Sequence, residues 1–151
     1  MARSVARLRP GLLGLALLVG CLDPTQATLL ISTNVTCGPE SAEPGALFET
    51  GILAAPASRV DEVSFTVTTK ECSAGDVGSI VVFPEDGASE AAVVVVGSIG
   101  SQTAEGCLPF ARRVPMADGN QCIVARRRIS FISHKKLEIP IVLDMECVGV
   151  D

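Results

Sequence analysis

Cysteine is the residue type in this chain best placed to do chemistry. Six occur among 151 residues, at positions 21, 37, 72, 107, 122 and 147. Small metal and redox centres use thiols two residues apart, because that spacing aims both sulfurs at one ion or one short bridge. No Cys-x-x-Cys occurs, so a zinc ribbon or thioredoxin-like site has little support. Histidine occurs once, at His134, which leaves no His-rich metal centre. As a general base it would need a nucleophile and an orienting acid beside it. Ser130 and Ser133 are close in sequence, but Gly-x-Ser-x-Gly is absent. His134 therefore reads as a turn residue between two strands. There is no Trp or Tyr, which removes the usual stacking platforms for sugars and bases. No cofactor, no metal and no catalysis are expected.

Residues 1–20 look like an address rather than part of a fold. Arg3, Arg7 and Arg9 make a positive start, and an uncharged apolar run from Gly11 to Gly20 follows. That is the layout of a secretory signal. A membrane span needs about 20 apolar residues, and this run is cut short by Asp23 and Pro24. The stretch Leu18-Val19-Gly20-Cys21 resembles the lipobox of bacterial lipoprotein precursors: Leu, a small or branched residue, Gly or Ala, then an invariant Cys. The resemblance implies cleavage before Cys21, with diacylglycerol on its sulfur and an acyl chain on its new amino group. Several chains on one residue give stable anchoring, where a single chain binds only marginally. Leu22 follows Cys21, and Asp23 comes one place later than the inner-membrane retention signal of Gram-negative lipoproteins. The resemblance thus implies the outer membrane, on its periplasmic or surface face.

With Cys21 lipidated, five cysteines remain in an oxidising compartment, where disulfides are the default. Five thiols allow many pairings, and sequence alone does not choose among them. The preferred set is Cys37–Cys72 and Cys107–Cys122, the second closing the aperiodic loop LPFARRVPMADGNQ. Cys147 is then unpaired: a free thiol, an intermolecular partner, or half of a pair whose mate is missing.

The elements that must position these residues read as strands. Residues 21–27 form a lipidated tether and residues 28–151 one domain. Residues 28–36 are a first strand. Residues 38–59 are interrupted by Gly and Pro and read as loop, with a short strand at Leu47–Leu53. Residues 60–69 alternate cleanly, Val63, Phe65 and Val67 against Ser64, Thr66 and Thr68, the period of a half-buried strand. Residues 77–83 and 91–99 are apolar runs around a Pro84-Glu85-Asp86-Gly87 turn, which suggests a hairpin with a central second strand. Residues 122–132 and 135–143 suggest another hairpin around Ser133-His134. Pro140 has no N–H to give, so its strand belongs at an edge or a bulge. Six or seven short strands argue an all-β sandwich, with a closed barrel as the alternative.

The last third resembles a group of β-sandwich lipoproteins of Gram-negative soil bacteria. The residues are Cys122-Ile-Val-Ala-Arg-Arg-Arg-Ile-Ser-Phe131, Ser133-His134, Leu137-Glu-Ile-Pro-Ile-Val-Leu143 and Cys147. The resemblance implies an immunoglobulin-like or transthyretin-like sandwich at the cell envelope, and no activity.

Charge narrows the partners. Three of the 12 basic residues and none of the 17 acids precede Gly20, so the remaining chain carries nine against 17, a net −8. Nucleic acid needs a basic footprint and is not an expected partner. Arg126 and Arg128 would share one strand face, a candidate anion patch for phosphate or an acidic partner; the plainer reading is a solvated face that discourages edge aggregation. Arg127 would share the other face with Ile129 and Phe131, a conflict eased at a rim, by a bulge, or by snorkelling. Asp61-Glu62 and Glu85-Asp86 lack the spacing of a calcium loop. Asn34-Val35-Thr36 is a glycosylation sequon, incidental in a bacterial lipoprotein. Phe48, Phe65, Phe83 and Phe131 should be core, leaving Phe110 as a presented side chain in the 107–122 loop. The expectation is a lipid-anchored, non-catalytic interaction or structural module with an envelope protein partner. The alternative is a ligand-binding or inhibitor module that uses the 107–122 loop.

Overall fold

The computed structural model describes residues 23–38, 45–85, 88–114 and 121–150. The lipobox, Asp86 and the tip of the 107–122 loop lie outside them. Seven strands form two sheets: β1 (Gln26–Thr33), β2 (Leu47–Ala55), β3 (Val67–Thr69), β4 (Asp76–Val82), β5 (Glu90–Ile99), β6 (Cys122–Ser130) and β7 (Lys136–Leu143). One sheet runs β4-β1-β7 and the other β3-β2-β5-β6. This is the all-β sandwich expected. In the constant-type immunoglobulin order the first two strands are neighbours; here β1 and β2 lie in different sheets, which leaves the transthyretin-like arrangement. Strand β1 begins at Gln26, inside the expected tether.

Alternation builds the interior. Ala27, Leu29 and Ile31 of β1 and Ile141 and Leu143 of β7 meet Val93, Val95 and Ile123 of the opposite sheet. Strand β7 runs parallel to β1 in unbroken register, from Gln26 opposite Lys136 to Thr33 opposite Leu143. It is an edge strand, as Pro140 requires. The buried Thr33 hydroxyl donates to the Leu143 carbonyl at 2.8 Å and closes that seam.

Strand β5 is apolar on both faces and sits between β2 and β6. Its Val93 and Val95 enter the sandwich, while Val94 and Val96 join a second core on the outer side of the sheet. Leaving such valines on water would forfeit about 1.5–3 kcal/mol each. A cap covers them: a 3-10 turn at Glu105–Cys107, the short helix α1 (Leu108–Ala111), and the segment from Val60 to Phe65.

Several expectations are corrected. The 60–69 segment is strand only at Val67–Thr69. Its alternation instead serves the second core, where Val60, Val63 and Phe65 lie across the sheet. The short strand expected at Leu47–Leu53 forms and is longer, a nine-residue strand to Ala55 that lies inside its sheet, flanked by β3 and β5. Its Gly51 is not a breaker but a site of close approach, since a Cβ there would stand 2.6 Å from the Phe65 ring. Neither hairpin forms. Strands β4 and β5 lie in different sheets, as do β6 and β7, so both connections arch between sheets. Doubly apolar β5 needs a central place between two strands, and an edge-tolerant β7 does not compete for it.

Candidate functional site

The outer face of the four-stranded sheet is where the sequence-derived candidates converge. Three contacts fasten the cap there and a fourth ties it together. Glu49 of β2 accepts the Ala104 N–H at 2.7 Å at its start. The Cys107–Cys122 disulfide staples its middle to the first residue of β6. Arg126 of β6 donates through Nη2 to the Ala111 carbonyl at the end of α1. Arg112 donates through Nη2 to the Val63 carbonyl at 2.9 Å, joining the two parts of the cap to each other.

The second expected disulfide, Cys37–Cys72, also forms. It ties the exit of β1 to the chain between β3 and β4. Cys147 is a free, exposed thiol.

The expected arginine face divides. Arg126 is partly buried and ion-paired to Asp61, with Nη1 and Oδ1 3.2 Å apart. Its charge is thereby engaged between a carboxylate and a carbonyl. Its Nε, like that of Arg112, is buried with no hydrogen-bond partner among the described residues. Arg128 is exposed. Both line a shallow hollow of about 200 Å³ with Val60 and Ala92. Arg127 lies on the edge strand β6, exposed and in unbroken register opposite Val93. The rim therefore resolves its conflict with Ile129, and no bulge is needed.

Phe110 is not a presented side chain. It is half-buried and packs against the second core. Phe83, expected in the core, is instead 59% exposed. His134 sits exposed in the turn after β6 at φ 58°. Its backbone N–H donates to the Thr25 hydroxyl at 2.9 Å. Glu85 pairs with Arg59 at 2.7 Å on the surface.

Sequence reading missed the turn that closes the far end. The Asn34 amide donates to Asp144 Oδ1 at 2.9 Å and accepts the Met145 N–H at 2.7 Å. Asp144 also accepts the Glu146 N–H. That backbone bond first, and then the Asn34 amide, hold its carboxyl below the usual carboxylate range. The sequon residue thus has a local structural job.

Among the described residues no group of three or more His, Cys, Asp or Glu side chains could hold a metal ion. No helix among them is long and apolar enough to cross a membrane. A scan against protein-family models, a search of curated proteins and a search of solved structures find no match to this chain.

Proposed function

We propose that this protein is a lipid-anchored envelope module: a β-sandwich tethered through Cys21 at the outer membrane, acting without catalysis as an interaction or structural element. The observation that carries the reading is the division of the cysteines. Four close two disulfides within the sandwich, the habit of a chain that matures in an oxidising, exported compartment. The sandwich takes up at Gln26, directly after the lipobox that ends at Cys21. Cys21 is left to the chemistry its own motif suggests. The 107–122 loop is a weaker basis for a ligand-binding or inhibitor role, because Leu108, Phe110 and Ala111 are turned onto the sheet beneath.

Metabolic labelling with a palmitate analogue tests the anchor. Wild-type protein should take up label and fractionate with the outer membrane, and Cys21→Ala should do neither. Absence of label on the wild type, or equal label on the variant, removes the proposal.

A further inference from the structure

The two outer faces of the sandwich are unlike. The four-stranded sheet is covered by the cap, whereas the three-stranded sheet carries no covering element among the described residues. Its outward side chains are mixed, with Leu30, Val81, Pro140 and Val142 set among Gln26, Thr28, Ser32 and Ser79. Leu30 on β1 lies opposite Pro140 on β7 and Ser79 on β4, and Ser32 lies opposite Val142. Leu30 and Val81 are each 42% exposed and Val142 51%. A shallow hollow of about 480 Å³ runs beside Leu30, Ser32, Ser79 and Pro140. Charge on this face lies at its margins, at Asp76 where β4 begins and at Lys136 and Glu138 on the edge strand β7. Leu30, Pro140 and Val142 are neighbours at its centre, and exposed apolar side chains grouped in this way mark an interaction surface.

The path of the chain says what meets it. The middle strand of this sheet is β1, and the residues leading into it come from Cys21. Asp23, ion-paired to Lys136 at 3.5 Å, is held beside the sheet. Cys21 is two residues before it, within about 7 Å of extended chain. Resting on the lipid-anchor reading above, we propose that the outward face of the three-stranded sheet lies against the bilayer into which the acyl chains of Cys21 insert. Leu30, Val81 and Val142 then enter the boundary between headgroups and acyl chains, as an amphipathic surface does. The capped sheet faces away and is the side open to other molecules.

The protein has no tryptophan, so a single introduced Trp reports its own position. Val81→Trp and Val142→Trp probe the proposed face, and Val114→Trp, at a 51% exposed site beyond α1, probes the opposite side. Leu30→Trp replaces Val81→Trp if that variant fails to fold. Each lipidated protein is reconstituted into phosphatidylethanolamine–phosphatidylglycerol vesicles with plain or brominated acyl chains. The expected result is loss of most Val81→Trp and Val142→Trp fluorescence to bromine, with Val114→Trp unchanged. Quenching of Val81→Trp without Val142→Trp means an end-on contact and overturns the proposal, as does equal quenching at all three sites. A blue-shifted Val142→Trp that bromine does not quench, with a dimer mass by light scattering in detergent, assigns the face to a second copy and also overturns it. No quenching on a protein whose intact mass includes the acyl chains rejects this docking and leaves the anchor standing. An intact mass without acyl chains removes the anchor reading and this proposal together.

Discussion

Gly51 shows how one residue can carry two opposite meanings. In sequence it interrupts an Ala-rich stretch and argues for loop. In the fold it is buried in mid-strand because the Phe65 ring crosses the sheet there, with three ring atoms within 2.7 Å of where a Cβ would be. Gly51→Ala must push that ring out of the second core or bend β2. Overpacking of this kind costs about 1–3 kcal/mol. The expected outcome is a lower urea midpoint for Gly51→Ala at unchanged slope, and recovery of part of the loss when Phe65→Leu is added. A Gly51→Ala midpoint equal to wild type would mean the ring has room to move. Arg126 makes the same point with charge. Its residue type suggested anion binding, while its neighbours, Asp61 and the Ala111 carbonyl, give it the task of holding the end of the cap.

At the scale of elements, the cap is the feature that periodicity did not show. Residues 105–111 make only a 3-10 turn and a four-residue helix, too short to be stable on propensity. They persist because Leu108, Ala111 and Cys107 bury against Val94 and Val96, and because Cys107–Cys122 closes a loop with a sequence separation of 15. By chain entropy such a closure stabilises by about 3 kcal/mol. Cys107→Ala with Cys122→Ala should therefore lower stability by roughly that amount. Hydrogen exchange should show where: faster at the backbone amides of residues 107–112 than in β1 or β7. Uniform acceleration across both sheets would instead make the cap inseparable from the sandwich. A legible clue existed in the unbroken apolar run of β5, which demanded cover on both faces. What supplied the cover was not legible, because Val63 and Phe65 gave a period that a strand would share.

The whole molecule is organised by contacts between distant parts of the chain. Thr33 bonds to Leu143 across 110 residues, and the β1–β7 ladder is built entirely of such pairs. Loop closure must precede any gain from them, so sandwiches of this kind fold in milliseconds to seconds. Stopped-flow refolding from urea with both disulfides intact should show its main phase in that range. A microsecond phase carrying the full amplitude would mean that the β1–β7 seam does not limit folding. At this scale the division of information is plain. The sequence by itself determined that the chain is strand-rich, that Pro140 lies at an edge or a bulge and that His134 lies in a turn, because alternation, a missing N–H and turn chemistry are local properties; it suggested the two disulfides without choosing among the pairings. Only the tertiary structure decided which strands are neighbours, that both expected hairpins are arches between sheets, and that among the described residues one outer face is capped and the other is not. Sheet membership depends on competition among all seven strands for the positions buried on both sides, and no single segment carries the outcome of that competition in its own residues.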